Sequence, residues 1–213
     1  MNSIDAVTLE VADLAAATRF YSAVLGPGSP YLRLRDSSTA TSGFRGFTLS
    51  LVVSQPGNVD ALVAAAVEAG ATTLKAASKS LWGYGGVVQA PDGTIVKIAT
   101  SAKKDSGPVT RAFDEIVLLL GVEDVKATKQ FYAERGLSVG RSFGGKYVEF
   151  AAGPDEVKLA LYKRRALAKD AGVSPEGTGS HRLVLSGAAG PCTDLDGFVW
   201  EAGVGAPAAA TTT

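Results

Sequence analysis

The fold of this chain is decided by a pattern that occurs twice, in Asp13-Leu-Ala-Ala-Ala-Thr-Arg-Phe-Tyr21 and in Asp124-Val-Lys-Ala-Thr-Lys-Gln-Phe-Tyr132. Both segments fit the frame D-φ-x-A-x-x-x-F-Y, and each follows an apolar run, 7–11 or 116–120, that is typical of a β-strand. An Asp at the start of such a segment favours a helix, because its carboxylate accepts hydrogen bonds from free backbone N–H groups. The sequence therefore predicts a strand followed by an Asp-capped helix, twice.

A second pair of segments supports an internal duplication. The turn and apolar run at 90–98, which contains Pro91-Asp92-Gly93, is similar to 193–202, which contains Asp194-Leu-Asp-Gly197. Two related halves with unequal insertions account for the spacing of both pairs. The predicted organisation is a first half at 1–100, a linker at 101–110, a second half at 111–203 and a flexible tail at 204–213.

The order of the predicted elements indicates an α+β fold. Strand–helix–strand–strand–strand occurs at 46–100 and again at 115–163, and the flanking stretches 1–36 and 180–202 are similar to shortened copies of it. The helix predicted at 57–69 carries an apolar stripe.

Three local predictions accompany this order. We expect Asn58 to cap the 57–69 helix and Gly70 to end it, and we expect a loop after the strand at 157–163. The adjacent charges of Lys163, Arg164 and Arg165, together with Lys158, favour a solvated strand edge over an anion site.

Composition excludes several classes of function. The chain has 21 basic and 21 acidic side chains, which argues against nucleic-acid and anionic-membrane partners. The lone cysteine, Cys192, and the absence of an export signal favour a reducing, cytoplasmic location. There is one histidine, His181, so a zinc site built from several imidazoles within one chain is excluded.

The motifs, in their order along the chain, resemble the vicinal oxygen chelate superfamily, which contains glyoxalases, bleomycin-resistance proteins and extradiol dioxygenases. The resemblance is carried by 4–14 with Phe20-Tyr21, by 44–53, by 81–86 before the Pro91 turn, and by the repeat of these features up to 201. It implies repeated βαβββ modules whose curved, mixed sheets form a cup with flanking helices. In the metalloenzymes of the superfamily, the cup holds a divalent ion that binds two adjacent substrate oxygens.

The resemblance also implies where metal ligands belong, namely at the start of the first strand of a module and four residues after the Asp-Gly turn. In the first half these positions hold Ala6, Thr48 and Lys97. Alanine offers no donor atom and an ammonium group repels a cation, so we expect no metal in this half.

The second half leaves the metal question open. Glu201 stands four residues after Gly197, and the opening-strand position falls on Glu115 or on Val117, depending on the register. The remaining position falls near Val184, with His181 three residues before it. Glu115, Glu201 and His181 would suit Fe, Mn or Zn, but positions three apart on a strand lie on opposite faces.

Eight side chains are therefore candidate functional residues. His181 and Glu201 are candidates for catalysis, and with Glu115 for metal binding. Aromatic side chains that could stack on a ligand in the cup are Trp82, Tyr84, Tyr147, Tyr162 and Trp200.

Three functions remain open on the sequence alone. The first is a protein of the bleomycin-resistance type that has largely lost its metal ligands, needs no cofactor, and binds a small, partly aromatic molecule. The second is a lyase, isomerase or dioxygenase that uses one divalent metal ion in the second half. The third is a protein whose degenerate cup serves as a partner surface. We expect a monomer or homodimer in each case.

Overall fold

The computed structural model describes residues 4–81, 83–153 and 156–202, and all structural statements refer to these residues. Four helices and fifteen strands form an α+β fold, which confirms the predicted fold class. The main sheets have eight and five strands, and a two-stranded sheet joins 41–43 to 177–179. No helix in the described part of the chain is long and apolar enough to cross a membrane.

The elements of the first half follow the predicted order. They are β1 (Ala6–Val11), α1 (Leu14–Leu25), β2 (Leu32–Asp36), β3 (Thr41–Gly43), β4 (Phe47–Val52), α2 (Pro56–Glu68), β5 (Thr72–Ser80), β6 (Gly83–Gln89) and β7 (Ile95–Thr100).

The second half has its complete module first and its incomplete module last. Its elements are β8 (Glu115–Val122), α3 (Val125–Glu134), β9 (Val139–Phe143), β10 (Tyr147–Phe150), β11 (Lys158–Lys163), α4 (Arg164–Ala171), β12 (Gly177–Gly179), β13 (Leu183–Ser186), β14 (Cys192–Thr193) and β15 (Val199–Glu201).

Two of the three predicted helix starts are confirmed. The Asp13 carboxylate accepts from the Ala16 N–H, and Asp124 accepts from the N–H groups of Lys126 and Ala127. The prediction that Asn58 caps the next helix is wrong, because α2 begins after Gln55 with Pro56 at its first position. Proline favours that position because its ring fixes a helical φ and its missing N–H would be unpaired there.

Asn58 and Gln55 instead fix the segment that connects the halves. The buried Gln55 side chain accepts from the N–H groups of Ser106 and Gly107 and donates to the carbonyls of Gly107 and Pro108. Asn58 accepts from the N–H of Thr110 at 2.9 Å. These bonds bind the predicted 101–110 linker to the start of α2, and its boundaries stay a prediction.

The two halves share both large sheets. The eight-stranded sheet has the order β5-β6-β7-β4-β8-β11-β10-β9, and its centre is the antiparallel pair β4–β8, from Phe47 opposite Leu120 to Val52 opposite Glu115. The five-stranded sheet has the order β14-β15-β13-β1-β2, with β1 of the first half antiparallel to β13 of the second. Each half therefore contributes strands to each sheet.

The shortened modules at the two ends of the chain build the five-stranded sheet. β1 pairs in parallel directly with β2, and β13 pairs in parallel with β15. In the complete modules, the parallel partner of the first strand, β7 or β11, comes after a helix and an antiparallel pair of strands. The end modules lack most of this intervening hairpin, which agrees with the abbreviated copies predicted from the sequence.

The repeated Phe-Tyr pair connects helix to turn in both halves. The Tyr21 hydroxyl of α1 donates to Asp92 at 3.2 Å, and the Tyr132 hydroxyl of α3 donates to Asp194 at 2.5 Å. Each acceptor lies in the turn before the last strand of a module. Burial raises the pKa of both tyrosines well above its ordinary value, and the neighbouring carboxylates add to the effect. In each half, the repeated helix segment is thus in physical contact with the repeated turn.

We expect Tyr132→Phe to lower the free energy of unfolding at pH 7 by about 1.5–3 kcal/mol, the range for a hydrogen bond to a charged group. Wild-type stability should also fall above pH 10, because tyrosine ionises in the unfolded chain before it does in the fold. The slope approaches about 1.4 kcal/mol per pH unit for each such tyrosine. Urea unfolding between pH 7 and 11.5 should show a shallower decline in Tyr132→Phe.

Tyr31→Phe is the matched control, since the Tyr31 hydroxyl has no hydrogen-bond partner among the described residues. An equal loss of stability in both variants, or an unchanged alkaline slope in Tyr132→Phe, would contradict the prediction.

Candidate functional site

Each large sheet has one face on the main core and an opposite face that we call its cup face. On β4, Leu49 and Leu51 belong to the core, so Thr48 and Ser50 lie on the cup face. Strand register adds Lys97 of β7 opposite Ser50, and Leu119 of β8 opposite Thr48. These positions include two of those at which the resemblance implies metal ligands, Thr48 and Lys97.

Helix α4 fills much of the cup face of the eight-stranded sheet. Its buried residues Leu167, Ala168 and Ala171 form a second apolar cluster. The sheet residues in that cluster or packed against it are Leu74, Val87, Ile95, Leu119 and Tyr162. The chain itself therefore occupies this face.

The prediction of a loop after 157–163 is wrong, because α4 begins at Arg164. The prediction that the charges at 163–165 lie on a solvated strand edge is also wrong for Arg164. Its guanidinium donates to the carbonyls of Pro175 and Phe44. The run 164–171 consists largely of good helix formers, and Gly172 ends it with φ +82°. This signal was available in the sequence.

Ionic contacts also join the C-terminal end of α4 to the sheet. Lys97 Nζ lies 2.6 Å from the Asp170 carboxylate, and Lys75 Nζ donates to the carbonyls of Lys169 and Asp170 at 2.9 and 2.6 Å. A lysine at a helix C-terminus satisfies carbonyl groups that lack a partner within the helix. Lys97 thus stands at the position of an expected metal ligand and binds the helix instead.

The cup face of the five-stranded sheet is open and polar. Register places Thr8 beside Arg33, Glu10 beside Arg35, and Ser186 beside Glu201. The alternating residues Val7, Leu9 and Val11, with Leu183 and Leu185, lie in the core. The face borders an open groove of about 240 Å³ lined by Thr8, Arg33, Leu34, Arg35, Val184, Leu185, Ser186, Glu201 and Ala202.

Glu201 and Arg35 form a bidentate ion pair across this face. Two nitrogen–oxygen contacts join them at 2.8 and 2.7 Å, and the Glu10 carboxylate lies 3.6 Å from the same guanidinium. Hydrogen bonding to Arg35 lowers the pKa of the Glu201 carboxyl below its ordinary value. Because β15 and β2 are separated by β13 and β1, the pair crosses over the strands that carry Ser186 and Thr8.

Three polar groups on this face have no partner. Thr8 and Ser186 are 9% and 7% exposed, and neither hydroxyl bonds to another described residue. The exposed Arg33 guanidinium also has no ion pair or hydrogen bond within the described part of the chain. Sequence reasoning missed Arg33 and Arg35, although the alternation Leu32-Arg-Leu-Arg35 places both on one face of a strand.

His181 is occupied by backbone groups. Its Nδ1 contacts the Arg45 carbonyl, its Nε2 lies 3.0 Å from the Asp196 carbonyl, and its ring stacks on Phe198 with centroids 4.1 Å apart. Both ring nitrogens therefore face carbonyl oxygens, and an N–H on either nitrogen has a backbone acceptor. His181 here joins the start of β4 to the turn before β15.

The predicted metal ligands do not come together in the described residues. Glu115 begins β8 and pairs with Lys158 at 2.8 Å, whereas Glu201 pairs with Arg35 on the other sheet. The alternative residue Val117 lies on the cup face opposite Ser50. No three His, Cys, Asp or Glu side chains in 4–81, 83–153 and 156–202 form a group that could hold a metal ion.

The predicted ligand-stacking aromatics are divided between faces. Tyr84 donates to Asp60 of α2 at 2.8 Å, and Trp200 is buried in the core with its indole N–H on Tyr132. Tyr147 and Tyr162 lie side by side on the cup face of the eight-stranded sheet. Trp82 lies outside the described residues.

No family model matches the chain, and no curated protein matches it. Solved structures do. Glyoxalase I from Zea mays has a TM-score of 0.57 and 14% identity over 92% of this chain and 90% of its own. A mutant of the same maize enzyme gives 0.59 and 13%, over 93% and 92%. A Bacillus subtilis protein described as a dioxygenase gives 0.52 and 14%, over 91% and 71%. These structural similarities show that the chain shares its fold with these proteins.

We expect burial, and not the ionic contacts, to hold α4 on its sheet. Leu167 is 1% exposed, so Leu167→Ala should lower the free energy of unfolding by about 2–5 kcal/mol. Asp170→Ala removes a half-exposed ion pair and should cost less than about 1 kcal/mol. Urea unfolding, with hydrogen exchange of 164–171, measures both; an equal or larger effect of Asp170→Ala would contradict the prediction.

Proposed function

The chain has the glyoxalase-like fold of the vicinal oxygen chelate superfamily, and from this premise we propose that it binds a small anionic molecule on the cup face of the five-stranded sheet. In this proposal the protein is a binding protein of the bleomycin-resistance type that works without a metal ion. The carrying observation is the groove in which the Thr8 and Ser186 hydroxyls and the Arg33 guanidinium have no partner among the described residues.

The physical argument rests on the polar groups that line the groove. The Thr8 and Ser186 hydroxyls open onto it, so a ligand oxygen or nitrogen would replace water as their hydrogen-bond partner. Arg33 supplies a positive charge at the rim and five N–H donors. In the empty protein, Arg35 is already neutralised by Glu201 and Glu10. Arg33 is therefore the unpaired charge that a ligand first meets.

The choice between the two cup faces follows from what covers each. On the eight-stranded sheet, α4 occupies the face, and Lys97 and Lys75 bind its C-terminal end. A ligand there would be limited to the space of about 220 Å³ that α4 leaves over β5, β6 and β7, where Lys75 and Lys97 are already bound to the helix. On the five-stranded sheet, the described residues leave a groove open between the strands' polar side chains. The second face therefore suits a ligand better.

The donor atoms present do not fit the metal site of the superfamily. Ala6 and Val117 offer no donor, and Lys97 carries a positive charge bound to Asp170. Both oxygens of Glu201 are engaged by Arg35, and Glu115 is paired with Lys158. A metal-dependent lyase, isomerase or dioxygenase, the alternative function, would require both carboxylates to leave these partners. Neither is placed to share an ion with the other.

The charge of the face leads to a test with a small-molecule library. We expect carboxylate- and phosphate-bearing compounds to raise the melting temperature of the wild-type protein. Arg33→Ala should weaken binding of the best compound about tenfold or more by isothermal titration, because it removes the free charge. Arg19→Ala, which removes an exposed arginine from α1, should leave affinity within about twofold. No melting shift with any anion, or equal effects of both variants, would contradict the proposal.

The metal question has its own measurement. Protein purified without chelator should contain far less than one equivalent of Fe, Mn or Zn by elemental analysis. Added Mn²⁺ or Zn²⁺ should not shift its melting temperature, since the carboxylates are held by Arg35 and Lys158. A stoichiometric ion that is lost in Glu201→Ala and retained in Asp36→Asn would instead support the enzyme.

A further inference from the structure

The Arg35–Glu201 pair has the geometry of a ligand contact made by the protein itself. Arg35 presents its two terminal nitrogens to the two carboxylate oxygens of Glu201 at 2.8 and 2.7 Å. This fork-to-fork arrangement is how an arginine recognises a free carboxylate. The residues lie 166 positions apart in the chain, so only the sheet brings them together.

The pair spans the face where the unpaired hydroxyls lie. β2 and β15 are three strand spacings apart, which is about 14 Å in a flat sheet. The side chains must therefore extend toward each other over β1 and β13, which carry Thr8 and Ser186. A group that enters the groove from above meets the ion pair before it meets the hydroxyls.

The pair is also exposed enough to exchange. The side chains of Arg35 and Glu201 are 43% and 49% exposed. Ion pairs at this exposure contribute little to stability, because water and salt compete with them. The Glu201 carboxylate bonds to Arg35 and to no other side chain among the described residues, so its exchange breaks that pair and leaves the backbone ladder of β15 intact.

We propose that the ligand of this face carries a carboxylate that replaces Glu201 on Arg35, so that Glu201 closes the empty site as an internal substitute for the ligand. The inference rests on the proposed function and names its ligand class. The incoming carboxylate takes the fork of Arg35, while the rest of the molecule reaches the Thr8 and Ser186 hydroxyls below. Arg33, on the same strand and face, adds a second positive charge.

This exchange predicts that removal of the internal carboxylate improves binding. Benzoate is the probe, benzamide is its neutral counterpart of the same shape, and inorganic phosphate is a non-planar anion. Glu201→Gln should bind benzoate about tenfold more tightly than wild type by isothermal titration, with benzamide unchanged and phosphate improved less than twofold. Arg35→Lys should weaken benzoate binding several-fold, because an ammonium group cannot form the fork.

The control is Asp36→Asn, which removes the same charge one residue from Arg35 on the opposite face of β2. It corrects for long-range attraction and should change benzoate affinity less than twofold. Equal gains in Asp36→Asn and Glu201→Gln, no gain in Glu201→Gln, or an equal gain for phosphate would each overturn the inference. Circular dichroism checks that each variant is folded.

The outcomes separate this inference from the proposed function. Anion binding that depends on Arg33 but is indifferent to Glu201→Gln would overturn the exchange and leave the binding function in place. If neither wild type nor Glu201→Gln binds any anion, the proposed function itself fails.

Discussion

The antiparallel pairing of β4 with β8 is the constraint on which the rest of the structure depends. β4 belongs to the first half and β8 to the second, and their ladder joins two complete modules into one eight-stranded sheet. The two incomplete modules at the ends of the chain are then left to pair with each other through β1 and β13. One set of hydrogen bonds therefore decides which strands form each cup face.

The two cup faces differ because the modules that build them differ in completeness. The complete modules carry α4 directly after β11, and this helix packs on their cup face and joins Asp170 to Lys97. The incomplete modules lack such a helix in the described residues, and their face carries charged pairs and unpaired hydroxyls. An open polar groove on one sheet, which we propose as the anion site, and a cup largely covered by α4 on the other follow from this asymmetry.

Sequence reasoning succeeded where the signal is local and failed where a partner decides the outcome. Asp13 and Asp124 cap helices because the bond reaches only two or three residues along the chain. Asn58 has the same chemistry, but α2 already begins at Pro56, so Asn58 lies inside the helix. Its side chain binds Thr110 instead, 52 residues away. The helix α4 was missed for another reason. Its adjacent charges favoured a strand edge followed by a loop, although the helix propensity of 164–171 and the glycine that ends it are visible in the sequence.

By itself the sequence determined the duplication, the α+β class, and the polar and apolar faces of the strands. These features depend on residue type and on spacing along the chain, which the backbone geometry converts directly into caps and faces. Only the tertiary structure decided that Glu201 faces Arg35, that Glu115 faces Lys158, and that His181 lies between two carbonyls. Those partners are far apart in the chain, or are backbone groups without a sequence signal, and strand order places them within bonding distance.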